Sequence, residues 1–168
     1  MNRRCFAALL AGAGLVGPLS AAPQTPPQTI DWDDLLPAAE RGRSPPPPVK
    51  VHDYLGEDGP PMTQSGSFAA NRSLHGRLLR IPGFIVPLVS NRLPDVTEAF
   101  LVPYYGACIH VPPPPPNQLV YVLFGTPRRI ATIYDAYWVT GIMQVARKST
   151  RLATATYAMA GSRLEVYQ

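Results

Sequence analysis

Proline constrains the fold of this chain more than any other residue type. The 168 residues include 21 prolines, among them the uninterrupted run Pro112–Pro116. Because proline lacks a backbone N–H and its ring clashes with the preceding helical turn, long regular helices are disfavoured over much of the chain. The sequence therefore excludes a coiled coil, a helical repeat protein and a multi-pass membrane protein.

The composition allows a packed core, but the content of charged residues and the net charge are both low. Hydrophobic residues make up 46% of the chain, and charged residues only 15%. The formal charge is +4, and it falls to +2 without Arg3 and Arg4, which lie in a segment expected to be removed. Nucleic-acid recognition needs clustered Lys and Arg to displace counterions. We therefore expect no nucleic-acid partner.

Residues 1–22 have the pattern of an export signal peptide. Arg3 and Arg4 precede the apolar run Phe6–Val16, and the small residues Ser20–Ala22 follow. This run is too short to span a bilayer, which needs about 20 residues. The arginine pair also begins the R-R-x-F pattern of a twin-arginine signal, with the general secretory route as the alternative. We expect a periplasmic protein whose membrane contact is limited to this signal before cleavage.

If the signal peptide is cleaved, only one of the two cysteines remains in the mature protein. Cys5 lies too early for lipid attachment and leaves with the leader, so we expect no lipid anchor. Cys108 is then the single cysteine of the mature protein and cannot form an internal disulfide.

Residues 23–73 form a proline-rich arm and linker with one short docking segment, residues 30–36. Asp31 is placed to cap a helical turn there, and Trp32 lies on the apolar face of that turn. We expect Trp32 to dock this short helical arm onto the folded domain.

Residues 74–168 form the predicted domain, because apolar, β-branched and aromatic residues concentrate there. Turn residues at Gly125–Pro127 and Gly161-Ser162 separate or interrupt the runs. Five strand regions are predicted: Arg77–Leu88, Glu98–Tyr104 leading into Gly106–Val111, Gln118–Phe124, Ala136–Ala146 and Ala153–Val166.

The first strand region contains Pro82-Gly83 and Pro87, which predict a bulged or sharply bent strand. Five bent strands in fewer than about 100 residues predict a mainly β fold, a small five-stranded barrel of the oligonucleotide/oligosaccharide-binding type. A β-sandwich is the alternative.

One pair of residues suggests chemistry, Cys108 and His110. If residues 106–111 are extended, the two side chains share a face and can converge on one zinc or copper ion. The same pair could form a Cys–His dyad in a thiol enzyme. A stable metal site needs three or four ligands, and Cys108 could equally be a small buried hydrophobe. The candidates for further ligands are His75, Glu98, Asp95 and His52, with no spacing that selects among them.

The proline run forms a stiff left-handed rod. It is either a docking ridge for an aromatic groove of a partner or a rigid crossover that leads into the next strand. The candidate partner-binding residues are Tyr104, Tyr105, Pro112, Pro113, Pro114, Pro115, Pro116, Asn117 and Gln118. Asn117 and Gln118 could cap the rod through their side chains.

The segments Ile81–Leu88 and Phe100–Val111, with the prolines and Asn117-Gln118 that follow, resemble the bacterial family called domain of unknown function 3299. The match runs from about residue 74 to the end, and the arm around Trp32 resembles the start of the family. Family members are exported or lipid-anchored, and some accompany ABC-type export systems and zinc-responsive genes. The resemblance implies an envelope location and favours the metal hypothesis, with Cys108 and His110 at the matching positions.

Three functions remain open at this point. The first is a periplasmic accessory protein that binds zinc or copper through Cys108 and His110 in support of an envelope transport system. The second is a non-catalytic interaction module of an ABC-type export complex that uses the Pro112–Pro116 ridge. The third is a thiol enzyme, which is disfavoured because no acidic residue is placed to orient the imidazole. No catalytic residue is assigned, and the sequence leaves the oligomeric state open.

Overall fold

A computed structural model describes residues 26–42, 64–88, 94–108 and 112–168. The export signal predicted over residues 1–22 lies outside this part of the chain. The strands are β1 (Gln28–Thr29), β2 (Leu78–Pro87), β3 (Asp95–Val102), β4 (Val120–Arg129), β5 (Ala136–Ser149) and β6 (Thr154–Val166). Short 3-10 turns lie at Asp33–Leu35, Arg72–Leu74 and Pro116–Gln118. None of the helices in these ranges is long and apolar enough to cross a membrane.

The five longer strands hydrogen-bond into a closed ring in the order β2–β3–β4–β6–β5, with β5 pairing back onto β2. Every neighbouring pair is antiparallel except β4 and β6, which are parallel. The short β1 adds to β2 in parallel. The prediction of a mainly β fold of five bent strands is confirmed. The β-sandwich alternative is wrong, because the strands form one continuous sheet that curves round on itself and not two stacked sheets.

The prolines of the first predicted strand region lie within β2, where the strand changes partners. Residues Leu78–Phe84 pair with β5, and residues Phe84–Pro87 pair with β3. Pro82 lies before that change, within the stretch paired with β5, and Pro87 is the last residue of the strand, a position where a missing backbone N–H is tolerated. The predicted bend is thus the feature that lets β2 close the ring.

Two predicted turns lie inside strands. Gly125–Pro127 belongs to β4, which continues to Arg129. Gly161 and Ser162 belong to β6, where Thr140 pairs with Arg163 but the next residue of β5 pairs with Gly161. Ser162 is therefore the extra residue of a β-bulge. At both places the glycine marks an irregular strand and not its end.

The prediction of an extended segment is wrong over residues 106–108, the part of that segment that the structure describes. β3 ends at Val102, and Cys108 adopts a φ of 66°, in the left-handed region. A residue in that region turns the chain and ends the alternation of side chains on which the prediction depended. Residues 109–111 lie outside the described part of the chain.

The apolar side chains form two separate layers because successive residues of a strand point to opposite faces. The inner layer fills the ring and includes Ile81, Leu101 and Val122. The outer layer includes Phe100 and Val102 of β3 and is covered by the segment between β3 and β4. A small ring that buries both faces of β3 gains apolar burial that the ring interior alone could not supply.

The predicted docking of Trp32 is confirmed. The indole Nε1 of Trp32 donates a hydrogen bond to the Pro82 carbonyl oxygen at 2.7 Å, and the ring packs against the inner layer. Gly83 makes room for it, because a Cβ there would lie 2.9 Å from Trp32 Cζ2 and 2.7 Å from the Val102 oxygen. The Asp31 side chain accepts the backbone N–H of Asp34, which holds the turn that presents the indole.

Replacing Trp32 tests how strongly the arm stabilises the ring. We expect Trp32→Ala to lower the free energy of unfolding by about 3 kcal/mol, because it removes a packed indole. Trp32→Phe should cost about 1 kcal/mol, largely for the lost hydrogen bond. Urea denaturation measures both values, with Asp33→Ala on the exposed side of the same turn as the control. Equal stability of Trp32→Ala and the control would contradict a docked arm.

Candidate functional site

The candidate residues lie on the crossover from β3 to β4, residues 103–119, which folds back over the outer face of the ring. Ala107 and Cys108 pack there against Val86, Phe100 and Val102. The crossover therefore covers part of the outer face of β2 and β3.

Cys108 is a buried thiol in a strained backbone position. It is 6% exposed and has a positive φ, which a residue with a Cβ rarely adopts. Burial raises the pKa of its thiol to about 12. The raised pKa disfavours the thiolate that a nucleophilic cysteine needs.

The other predicted ligands do not gather around Cys108. No three His, Cys, Asp or Glu side chains come together as a metal-binding group within the described residues. His75 lies on the surface, where its Nδ1 accepts the backbone N–H of Val145 at 3.1 Å. Asp95 is exposed at the start of β3. His52 and His110 lie outside the part of the chain that the structure describes.

Glu98, on the outer face of β3, interacts with a neighbouring tyrosine. Burial, and then the neighbouring Glu98 carboxylate, raise the pKa of the Tyr121 phenol to about 12. The Glu98 side chain therefore lies beside Tyr121 of β4, one strand away in the sheet.

The proline run is packed against the rest of the chain. Pro113, Pro114 and Pro116 are buried, and Pro112 and Pro115 are half-buried. Burial favours the rigid crossover over an exposed docking ridge.

Residues before the ring hold the run in place. The amide of Gln64 donates to the Pro114 oxygen at 2.8 Å and to the Thr154 oxygen at 3.0 Å. Gly66 lies so close that a Cβ there would be 2.6 Å from Pro115 Cβ, and its φ of +115° suits only glycine.

Asn117 and Gln118 fix the arm to the ring. The buried Asn117 amide donates to Glu40 Oε2 at 2.8 Å and to the Ala69 oxygen at 3.1 Å. Gln118 Nε2 donates to the Trp32 oxygen at 2.9 Å. These contacts go beyond the predicted capping of the rod, because both side chains reach segments that precede the ring in sequence.

Tyr104 and Tyr105 are exposed at the start of the crossover, and Tyr105 belongs to a run of aromatic contacts. Its ring lies 6.0 Å from that of Phe84 and 5.5 Å from that of Tyr134. We call Phe84, Tyr105 and Tyr134 the aromatic patch. Tyr105 is 44% exposed and Tyr134 is 67% exposed, so the patch faces solvent.

Sequence reasoning missed Tyr134, Phe84 and Glu40 as parts of these arrangements. Tyr134 lies in the turn before β5, about 30 residues from Tyr105, and no local pattern joins the two. Only the pairing of Phe84 with Ala136 in the ring brings that turn to Tyr105.

The structure thus defines a β-ring domain whose outer face is partly covered by its own proline-rich crossover. A family model described as "Protein of unknown function (DUF3299)" matches residues 32–166, and the chain belongs to this family. The predicted family resemblance is confirmed, and the match includes the Trp32 arm.

One solved structure of the same family is similar over nearly its whole length. It is the crystal structure of a DUF3299 family protein from Pseudomonas aeruginosa PAO1, with 35% identity and a TM-score of 0.67, covering 86% of this chain and 98% of that chain. An OBody bound to hen egg-white lysozyme matches with 14% identity and a TM-score of 0.34 over 62% of this chain and 94% of that chain, and it supports no conclusion. The search of curated proteins gives no match.

The state of Cys108 can be measured by its alkylation rate in a Cys5→Ser background. Moving the pKa from 9.0 to about 12 lowers the thiolate fraction at neutral pH about a thousandfold, so we expect very slow reaction with iodoacetamide. The rate should still rise between pH 9 and 10, where an ordinary thiol levels off.

Urea-unfolded protein is the reactive control, and His110→Ala should leave the slow native rate unchanged. Fast native alkylation that slows in His110→Ala would instead support the Cys–His dyad.

The contact between Asn117 and Glu40 can be tested by introducing a negative charge at position 117. Asn117→Asp should lower the free energy of unfolding by more than the roughly 2 kcal/mol expected for Asn117→Ala, because it sets a second carboxylate against Glu40. The double variant Glu40→Gln/Asn117→Asp should recover part of that loss, since a Gln amide can donate to the new carboxylate. Additive effects in denaturant titrations would show that the two side chains do not interact.

Proposed function

We propose that the protein is an exported, non-catalytic interaction module of the cell envelope that contacts its partner through the aromatic patch. The patch is the observation that carries this proposal. Tyr105 and Tyr134 expose much of their rings while they contact each other and Phe84. Tyrosine is enriched at protein interfaces because it combines a large apolar ring with a hydroxyl that stays hydrogen-bonded.

The rigidity of the segment behind the patch supports the same role. Tyr104 and Tyr105 lie on a crossover held by the packed proline run and by the buried Cys108. A side chain that is already fixed loses little conformational entropy on binding, so its contacts contribute more fully to affinity. In this proposal the proline run holds the crossover that carries the patch. The aromatic patch, and not the proline run, is the docking surface.

The partner class in this proposal comes from the family resemblance. Components of an ABC-type export system in the envelope are the expected partners, and the periplasm is the expected location. The export signal predicted for residues 1–22 supports that location.

Cys108 has a structural role in this proposal. Its thiol is buried and burial raises its pKa to about 12, which disfavours the thiol enzyme. Within the described residues no ligand group supports the metal hypothesis either.

Site-specific photocrosslinking in cells tests the proposal. A photoreactive phenylalanine analogue at Tyr134 should give a discrete adduct of higher mass, and mass spectrometry should identify an envelope transport protein in it. The same analogue at Leu152, an exposed apolar residue on the β5–β6 turn, is the matched control. Tyr105→Ser should reduce the Tyr134 adduct severalfold. Identical adducts at Tyr134 and Leu152, or none at Tyr134, would contradict the proposal.

A further inference from the structure

An exposed apolar row crosses four neighbouring strands on the outer face of the ring. Leu78 of β2 pairs with Ile142 of β5, Ile142 pairs with Ala160 of β6, and Ala160 pairs with Leu123 of β4. The three large side chains are between 37% and 52% exposed. Paired residues on adjacent strands lie about 5 Å apart, so the row extends about 15 Å across the sheet. We call these four residues the apolar row.

Arginines flank one side of the apolar row. The next outward residues along the strands are Arg80, Thr140 and Arg163, which are paired in the same order across β2, β5 and β6. The guanidinium of Arg128 reaches the same place, where it donates to the Ser162 oxygen at 2.7 Å. Arg163 and Arg80 each approach Glu165, at 3.9 and 3.8 Å.

A lysine lies on the other side of the apolar row. Lys148 Nζ is 6.0 Å from the ring of Tyr121, which is paired with Ala158 next to the row. The acidic groups that face this surface are Glu165 and Glu98, and Glu98 is paired with Leu123 at the β3 end of the row. The basic groups are Arg80, Arg128, Arg163 and Lys148, so positive charge predominates on the arginine side of the apolar row, while Lys148 and Glu98 balance on the other.

Aromatic side chains extend the surface beyond the arginines. The guanidinium of Arg80 lies 4.2 Å from the centroid of the Trp138 ring, and the Trp138 and Tyr167 rings are 5.0 Å apart. Tryptophan and tyrosine favour the boundary between water and hydrocarbon because each has an apolar ring and a polar group.

We propose that this face docks the protein peripherally on an anionic lipid bilayer. The apolar row would enter the boundary of the acyl chains, and the flanking arginines and Lys148 would bind lipid phosphates. The convex outer face of a closed ring suits this contact, since a protruding line of side chains can enter a flat surface. Association with a second copy is disfavoured, because it would oppose two surfaces of like charge. This binding extends beyond the sequence expectation that membrane contact is limited to the export signal, and it does not depend on the aromatic patch.

Vesicle co-sedimentation tests the proposal on the chain as it accumulates after export. We expect binding to vesicles of three parts phosphatidylcholine and one part phosphatidylglycerol, and at least tenfold weaker binding to phosphatidylcholine alone. Raising the salt to about 0.5 M should weaken the anionic binding, because it screens the charges.

Three variants separate the apolar and the charged contributions. Ile142→Gln/Leu123→Gln should weaken binding to the anionic vesicles at least tenfold, since it removes the apolar contact. Arg163→Gln should weaken it about fivefold. Leu152→Gln, at an exposed apolar position outside the apolar row, should bind like the parent, and thermal melting should show that all three variants remain folded.

Equal binding to both vesicle types would overturn the proposal, as would a double variant that binds like the parent. Absence of vesicle binding, together with salt-sensitive binding to polyglutamate, would replace the bilayer with an acidic protein partner. Crosslinking at Tyr134 is measured separately, so failure of either proposal is distinguishable from failure of the other.

Discussion

Closure of the sheet depends on β2 pairing with two different strands. Residues up to Phe84 pair with β5, and residues from Phe84 onward pair with β3, so one bent strand joins the two ends of the sheet. Closure satisfies backbone groups that an open sheet would expose at its edges. It also fixes which outward residues become neighbours, because register in a closed ring cannot slip without moving every inward side chain. The aromatic patch and the apolar row are both consequences of that register.

A ring of this size has more outer surface than its polar residues cover. Its apolar areas differ in whether another segment of the chain packs over them. Over β3 the crossover buries Phe100 and Val102 beneath Ala107 and Cys108. Burial raises the pKa of the Cys108 thiol and makes the side chain part of the packing. Across β2, β5, β6 and β4 no comparable segment covers the apolar row within the described residues, although it is equally apolar. Because the apolar area over β3 is covered and the apolar row is exposed, the apolar row indicates an interaction surface.

Much of the fold could be predicted from the sequence, because strand-forming residues repeat locally. The predicted region Arg77–Leu88 and the observed β2 differ by one residue at each end. The extended segment around Cys108 could not be excluded in this way, since its left-handed φ is imposed by packing on the outer layer and not by a local pattern. Similarly, Gly125–Pro127 has the composition of a turn, and the pairing of Asp95 and Val96 with Arg129 and Arg128 keeps it in β4.

The site was predictable only in part, and the reason is the distance in sequence between its members. Tyr104 and Tyr105 were identified from their position beside the proline run, but Tyr134 joins them through the register of β2 and β5. The ligand set stays a prediction, because His110 and His52 lie outside the part of the chain that the structure describes, and two residues close in sequence do not define a metal site without others brought by the fold.

The register also relates the aromatic patch to the apolar row. Along β2 the outward residues pass from Leu78 in the apolar row to Arg80 and then to Phe84 in the patch. Six residues of strand span about 20 Å, so the two surfaces share one side of the ring but do not overlap. Trp138 and its contact with Arg80 lie between them. A module seated on a bilayer by the apolar row would therefore hold the patch about 20 Å along the same face, within reach of the extramembrane part of a protein anchored in that bilayer.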